Sequence, residues 1–218
     1  MPKVEILIID YKTLPQAEAL TEEMKRTTTA KVILHDNTPK NENLHHLWNR
    51  YLEATDSDFF VNLSPDTKPV AGWLDLMLEL LHSQPQVAAV GPSTDHCYNE
   101  QANRHPEVVK FARGSWVPNI LVPGFCAVYR TSVLRRLGGW RECFAFYGGD
   151  VDLVYRMQLA GWMTAWCVPA FVWHEGGSSA RKLGQPAYDR LRERGNRELG
   201  QAFREYGQLS GLWVHVGK

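Results

Sequence analysis

Acidic residues follow three strand-like segments near the start of the chain. Asp10 closes an isoleucine-rich run, Asp36 follows the apolar run from Lys31, and Asp66 follows residues 59–63 after a Ser-Pro turn. Each one alone is explained as a turn residue, because aspartate accepts hydrogen bonds from nearby backbone N–H groups. Ligands of open α/β sheets, however, bind beyond the carboxyl ends of the strands. Three carboxylates at one such edge therefore predict a shared ligand site.

A second group of polar residues lies in the later half of the chain. Asp150 and Asp152 begin a predicted helix, where carboxylates cap free N–H groups and gain from the helix dipole. His174 ends the last predicted strand, beside Glu175 and two glycines. A carboxylate that faces a cleft could act as a general base, and a histidine at a strand end could bind a ligand. Helix caps and a structural histidine explain the same residues without chemistry, so both interpretations stay open.

The elements that would position these residues alternate between strand and helix. The predicted strands are residues 4–10, 31–35, 59–63, 87–91, 123–130 and 164–173. The predicted helices are residues 15–26, 43–54, 73–82, 132–137, 150–160 and 186–206, the last with a possible break at Gly195. This order predicts right-handed parallel crossovers and a doubly wound α/β sheet. Residues 92–118 are polar and irregular, and we expect this long segment to lie over the ligand site.

Composition and charge narrow the class of protein. The 24 basic and 24 acidic residues balance overall, but residues 181–218 hold eight basic and four acidic ones. Such a basic tail indicates either contact with an anionic surface or polymer, or one solvated helix face. The four cysteines have no CxxC spacing, which argues against a zinc knuckle or a disulfide framework. With no apparent signal peptide or membrane span, we expect a cytoplasmic location.

Five motifs occur in order along the chain. "DNTP" follows the second predicted strand and "NLSPDT" with "GWL" follows the third, and "GFCAVYRTSVLRRLGGWRE", "GGDVDLVYRMQLAGW" and "VPAFVWHEGGSS" come later. Together they resemble family 2 glycosyltransferases of the GT-A fold, in particular the rhamnosyltransferase-like branch, over residues 4 to about 179. That family transfers a sugar from a nucleotide-diphosphate donor with inversion, usually with Mg²⁺ or Mn²⁺.

The resemblance implies a fold and a domain organisation. The fold is a GT-A (Rossmann-like) single domain with a mostly parallel central sheet flanked by helices. It would occupy residues 1–180, with a nucleotide-sugar-binding half (1–91) and an acceptor and catalytic half (92–180). A basic C-terminal helix and tail (181–218) would follow.

The resemblance also implies roles for particular residues. Asp150 matches the catalytic base, which would take the proton from an acceptor hydroxyl. Asp66 matches the last acid of the metal-binding motif, and His174 could supply a second metal ligand. Ser64 stands where the family usually has the first acid, which leaves one strong carboxylate ligand. Gly149 stands where a glutamate usually precedes the base, which widens the acceptor side or removes a contact there.

The donor nucleotide is expected at the first strands of the sheet. The resemblance implies that Asp36 contacts the nucleoside and that Ile9, Asp10 and Tyr11 line the base pocket. A UDP- or dTDP-sugar is the favoured donor. Asn49 matches an asparagine in the helix before the donor strand, with a plain helix-surface residue as the alternative.

The acceptor is less well defined. A glycan or lipid-linked glycan is favoured, and DNA with hydroxymethylated bases is the alternative, because Tyr98 and Trp116 could stack on bases. Arg190, Arg194 and Arg197 recur at helical spacing, so one basic face would meet the acceptor or the donor diphosphate. A solvated helix face explains the same spacing.

Asp152 is placed weakly on the acceptor side, and we expect Arg156, four residues later, to form a salt bridge with it.

Two other classes of function remain possible. A catalytically inactive GT-A module that binds sugar nucleotides would explain Ser64 and Gly149, although Asp66, Asp150 and His174 together favour an enzyme. A nucleotidyltransferase or an NAD-binding Rossmann enzyme is disfavoured, because no GxGxxG motif follows the first strand.

Overall fold

The computed structural model describes residues 2–97, 106–109, 112, 114–118, 121–144, 146–176 and 184–210. Tyr98 and the basic residues at 181, 182 and 218 lie outside this described part. The strands are β1 (Val4–Asp10), β2 (Lys31–Asp36), β3 (Phe59–Leu63), β4 (Thr67–Pro69), β5 (Val87–Ser93), β6 (Trp116–Pro118), β7 (Cys126–Arg130) and β8 (Met163–His174). The helices are α1 (Leu14–Thr27), α2 (Leu44–Ala54), α3 (Trp73–Ser83), α4 (Pro106–Val109), α5 (Thr131–Arg136), α6 (Gly149–Leu159) and α7 (Gln185–Ser210).

The strands form one sheet in the order β2-β1-β3-β7-β5-β8-β4, and β6 also pairs with β8. β1 is parallel to β2 and β3, and β5 is parallel to β8. β7 lies antiparallel between β3 and β5, so β3 and β5 run in the same direction. Among the described strands, β7 and the short β4 and β6 run the other way. The predicted mostly parallel α/β sheet is confirmed.

Helices cover both faces of the sheet. Successive residues of β1 point to opposite faces, so Ile6 and Ile8 join one hydrophobic cluster whereas Leu7 and Ile9 join the other. The first cluster includes buried residues of α1 and α3, and the second includes buried residues of α2 and α6. Strands β3 and β5 are buried along their whole length, as expected for central strands covered on both sides.

The long C-terminal helix α7 packs beside α6. Ala202 and Tyr206 form a third hydrophobic cluster with Phe144. The predicted break at Gly195 is wrong, because α7 continues through it. Gly195 is buried, and a Cβ there would lie 2.7 Å from the carbonyl oxygen of Tyr147. The glycine therefore permits a close approach between the helix and the segment that leads into α6.

The segment 92–118 differs from its predicted irregular structure. β5 continues to Ser93, and α4 and β6 both lie within the segment. β6 gains its backbone partners from β8, its antiparallel neighbour in the sheet, and such long-range pairing cannot be read from a local pattern. No helix in the described ranges has the length and apolar character needed to cross a membrane.

Candidate active site

The ends of several strands meet at one edge of the sheet. Asp10 and Asp36 are paired neighbours at the ends of β1 and β2. β3 ends beside them, and the parallel β8 ends at His174. Because β7 runs the other way, its first residue, Cys126, lies opposite Leu63 at the end of β3. The segment that enters β7 therefore lies at the same edge as the predicted site residues.

Asp66 and His174 are brought together by pairing of β4 with β8. Thr67 lies opposite His174 in this ladder, and Asp66 Oδ1 is 3.6 Å from His174 Nε2. Asp66 is buried, and the Ser64 hydroxyl donates a hydrogen bond of 2.5 Å to the same Oδ1. Ser64 thus orients the carboxylate from the position where a first acid was expected.

The His174 ring is held from three sides. Its Nδ1 lies 3.0 Å from the His96 carbonyl oxygen, so Nδ1 carries the proton and donates there. Its backbone N–H donates to Asp95 Oδ1 at 2.9 Å. Phe125 stacks on the ring with centroids 4.2 Å apart at an interplanar angle of 11°. These contacts turn Nε2 towards Asp66.

This pair fits a divalent cation that is shared with a ligand. A carboxylate oxygen suits Mg²⁺ or Mn²⁺, and Nε2 of a neutral His174 imidazole could add a second ligand. No group of three or more His, Cys, Asp or Glu side chains among the described residues is arranged to hold a metal. The described residues would therefore supply two ligands, and a diphosphate and water could complete the shell.

Asp150 stands in the first turn of α6, half-buried. Its Oδ2 accepts a 3.0 Å hydrogen bond from the Gly124 N–H, and its Oδ1 accepts one of 2.9 Å from the Val151 N–H. Gly124 immediately precedes Phe125, the residue that stacks on His174. The two residues before β7 thus connect the carboxylate of Asp150 with the Asp66–His174 pair.

The space beside Gly149 is filled by His45 of α2. A Cβ at position 149 would lie 2.6 Å from Cε1 and 2.7 Å from Cδ2 of the His45 ring. His45 is buried, and its Nδ1 lies 2.7 Å from the Phe144 carbonyl oxygen. Burial lowers the pKa of His45, so the imidazole is neutral at pH 7. The prediction that Gly149 widens the acceptor side is corrected, because His45 occupies that volume.

Asp152 faces the interior instead of an acceptor cleft. It has no solvent exposure, and it accepts a 2.8 Å hydrogen bond from Arg156 Nε, as the predicted salt bridge requires. The Tyr206 hydroxyl of α7 also donates to it, and Arg141 lies 3.8 Å away. Burial, followed by the hydrogen bond to Asp152, raises the pKa of Tyr206 to about 12. The prediction that Asp152 lies on the acceptor side is corrected, because the residues of this network bury its side chain completely.

Of the two acids predicted for the nucleotide, only Asp36 is exposed. Asp10 is fully buried and accepts hydrogen bonds from the Thr13 backbone N–H at 2.9 Å, from the Thr13 hydroxyl and from Thr38 Oγ1 at 3.3 Å. It therefore holds the loop between β1 and α1 and does not face a base pocket. Asp36 accepts a 2.8 Å bond from the Thr38 N–H, and it remains accessible.

Of the other predicted nucleotide contacts, Tyr11 is partly accessible, whereas Ile9 and Asn49 have structural contacts. Tyr11 is half-buried, with Lys12 Nζ 5.0 Å from its ring centroid. Ile9 packs in the hydrophobic core, which leaves little of it to line a pocket. Asn49 exchanges hydrogen bonds of 2.7 and 2.8 Å with the backbone of Trp140. Asn49 thus connects α2 with the turn after α5, and its donor contact stays a prediction.

The two remaining acceptor-side residues lie on the periphery. Trp116 pairs with Cys167 in the middle of β8, away from the end that bears His174. Arg194 is exposed and forms a 2.6 Å salt bridge with Glu198 of the same helix. Neither placement by itself identifies an acceptor contact.

Sequence reasoning missed three residues that build the site: His45, Asn62 and Gly124. His45 is buried on the face of α2 that also carries Trp48, and a polar residue at such a core-facing position was a signal that the sequence offered. Asn62 interrupts an otherwise apolar strand and donates through Nδ2 to the Gly124 carbonyl at 2.5 Å. Gly124 contributes backbone groups, which no residue type reveals.

Comparison with solved structures identifies the fold as that of GT-A glycosyltransferases. The mannosyltransferase PcManGT of Pyrobaculum calidifontis, in complex with GDP-Man and Mn²⁺, matches with a TM-score of 0.61 and 15% identity, over 98% of this chain and 76% of that one. GalNAc-T7 with UDP, GalNAc and Mn²⁺ matches with a TM-score of 0.55 and 12% identity, over 88% and 48% of the two chains.

Among curated proteins, the chain is similar to N-acetylglucosaminyl-diphospho-decaprenol L-rhamnosyltransferase of Mycobacterium tuberculosis, strains CDC 1551 / Oshkosh and ATCC 25618 / H37Rv. The identity is 24% over 148 residues, or 56% of this chain. The chain spans about half, 48%, of the length of these relatives. No family model matches. The predicted resemblance to the rhamnosyltransferase-like branch is confirmed by this similarity.

Proposed function

We propose that this chain transfers a sugar from a nucleotide-diphosphate sugar to an acceptor hydroxyl, with inversion at the anomeric carbon and with a divalent cation. The observation that carries the proposal is the placement of Asp150 and the Asp66–His174 pair on either side of Gly124 and Phe125. A base on one side and a diphosphate-binding pair on the other are what such a transfer requires. The fold and the named relatives support this interpretation.

Asp66 and His174 would hold the cation, Mg²⁺ or Mn²⁺. When bound, the cation neutralises negative charge on the donor diphosphate. Ser64 keeps Asp66 oriented, and the contacts of His174 with His96 and Phe125 keep its Nε2 turned towards Asp66.

Asp150 acts as the general base. The acceptor oxygen forms a bond to the anomeric carbon, the bond from that carbon to the diphosphate breaks, and Asp150 takes the proton of the acceptor hydroxyl. The nucleoside diphosphate leaves with the electron pair of the broken bond. Because Gly124 fixes Asp150 Oδ2, the carboxylate keeps one orientation during the transfer.

The favoured donor is a UDP- or dTDP-sugar, with Asp36 and Tyr11 as the accessible residues near the nucleoside. The favoured acceptor is a glycan or lipid-linked glycan, as the name of the curated relatives supports. DNA with hydroxymethylated bases stays the alternative, because Arg190, Arg194 and Arg197 are exposed on α7.

A screen of nucleotide sugars with Mn²⁺, with Mg²⁺ and with EDTA tests the proposal. We expect metal-dependent release of nucleoside diphosphate from one donor, and transfer to polyprenyl-diphosphate-linked or free glycan acceptors. NMR of the product linkage tests inversion. The same screen with hydroxymethylated DNA separates the two acceptor classes. Metal-dependent donor binding without hydrolysis or transfer would favour an inactive module and would contradict the proposed activity.

A further inference from the structure

Asn62 is a buried polar residue in the middle of the sheet. It is 1% exposed on β3, between Leu7 of β1 and Ala127 of β7. Its side-chain oxygen is buried without a hydrogen-bond partner among the described residues. Burying an unpaired amide oxygen destabilises the fold, and the other four residues of β3 are apolar. Such a local cost is typical of functional sites.

The one described side-chain hydrogen bond of Asn62 is directed at the segment that carries the site. Its Nδ2 donates to the Gly124 carbonyl oxygen at 2.5 Å. The Gly124 N–H donates to Asp150 Oδ2 at 3.0 Å. The next carbonyl, that of Phe125, accepts a 2.7 Å hydrogen bond from the Ser64 N–H. The backbone of residues 124 and 125 therefore touches both halves of the candidate active site, and Asn62 anchors it from below.

Gly124 lies beside Asp150 and Trp48. A Cβ at residue 124 would lie 3.5 Å from Asp150 Oδ2 and 3.6 Å from Trp48 Cη2, which is ordinary van der Waals contact. The residue has no side chain of its own to hold it. Its orientation depends on its backbone bonds, of which that from Asn62 is made by a side chain of the rigid sheet.

We propose that Asn62 is a positioning residue that sets the place of Asp150 relative to the Asp66–His174 pair, through the backbone of Gly124 and Phe125. The proposal rests on the proposed function for its kinetic consequence. Asn62 does not touch the substrate. It holds the Gly124 carbonyl, and the Gly124 N–H in turn holds the carboxylate that takes the proton. Loss of the amide donor should therefore slow transfer and leave donor binding intact.

The test uses the full chain with Asn62→Leu, which removes the amide but keeps a similar volume. We expect kcat for transfer to fall about 10- to 100-fold, since a misplacement of about 1 Å can cost 100-fold. Donor affinity with Mn²⁺, measured by calorimetry, should stay within twofold, and stability should not fall. Asn62→Ala also removes the Nδ2 donor and adds no new polar group, so it should lose the same rate and carries the test if Asn62→Leu fails to fold.

Thr131→Val is the matched control. Thr131 is 2% exposed with a hydroxyl that has no partner among the described residues, and it follows Arg130, which pairs with Phe59 at the far end of β3. Its kcat should equal that of the wild type. A kcat for Asn62→Leu within twofold of wild type, or a parallel loss of kcat and donor affinity, would overturn the proposal.

A crystal structure of Asn62→Leu gives a readout that does not depend on turnover. The distance from the Gly124 nitrogen to Asp150 Oδ2 should exceed hydrogen-bonding range, and an unchanged 3.0 Å bond would refute the positioning role. If the wild type transfers no sugar in the screen described above, the proposed function fails, and this distance still decides the role of Asn62.

Discussion

Replacing Gly149 by alanine tests whether His45 fills the space beside the proposed base. The new Cβ would lie 2.6 and 2.7 Å from two carbons of the His45 ring, well inside van der Waals contact. The ring cannot turn aside freely, because it is buried and its Nδ1 bonds to the Phe144 carbonyl at 2.7 Å. Overpacking of this kind costs about 1–3 kcal/mol, and loss of the hydrogen bond costs about 1 kcal/mol more.

A gain in helix propensity opposes this cost. Alanine stabilises a helix by up to about 1 kcal/mol relative to glycine, and the backbone of Gly149 is not in the left-handed region. The net expectation is a loss of about 1–3 kcal/mol in the free energy of unfolding. Urea denaturation followed by circular dichroism measures it.

Gly200→Ala in α7 is the control for this experiment. A Cβ at residue 200 would meet only Arg204 Nη1, at 3.6 Å, so this variant should be more stable than wild type by about 0.5–1 kcal/mol. Adding His45→Ala to Gly149→Ala should remove most of the cost of the alanine at 149, which a double-mutant cycle measures. Gly149→Ala with the stability of wild type or better would refute the steric reasoning.

Three further variants test the remaining assignments. Asp150→Asn should lower kcat about 10²–10⁴-fold with donor affinity intact, and near-wild-type turnover would remove Asp150 from the chemistry. Asp66→Ala should abolish the gain in donor affinity that Mn²⁺ gives in calorimetry, and an unchanged gain would leave Asp66 as a turn residue. The triple Arg190/Arg194/Arg197→Ala variant should raise the acceptor KM and, for a polyanionic acceptor, reduce the salt slope of binding by about 0.9 per lost phosphate contact; unaltered acceptor kinetics would show that α7 is only a scaffold.

The sheet was predictable because its strands carry a repeating local pattern. β1 and β3 have the bounds that apolar runs between turn residues predicted. The order of the strands was not predictable in the same way. β7 lies between β3 and β5 although it follows both in the chain, and long-range pairing of this kind leaves no local signal.

The predicted strand ends showed where candidate residues lie in the sequence, but they did not show which of these residues face the site. Asp10 ends a strand and Asp66 follows one, yet Asp66 lies 3.6 Å from His174, whereas Asp10 accepts hydrogen bonds from Thr13 in the next loop and from Thr38 after β2. Both aspartates are buried, so burial does not separate them. The difference comes from the neighbouring strand: β4 pairs with β8 and presents Asp66 to the end of that strand.

The first turn of α6 is the clearest case in which the sequence predicted candidate residues but not which of them faces the site. Alternate residues at the start of a helix point in different directions, so different roles for Asp150 and Asp152 were predictable from spacing. Which one turns inward depends on what covers the helix. Here the Tyr206 hydroxyl, 54 residues further along the chain, reaches Asp152 from α7, while the Gly124 N–H reaches Asp150 from the segment before β7. The partners that separate a buried structural carboxylate from the proposed base thus come from distant parts of the chain, and one of them is a backbone group that every residue type except proline carries.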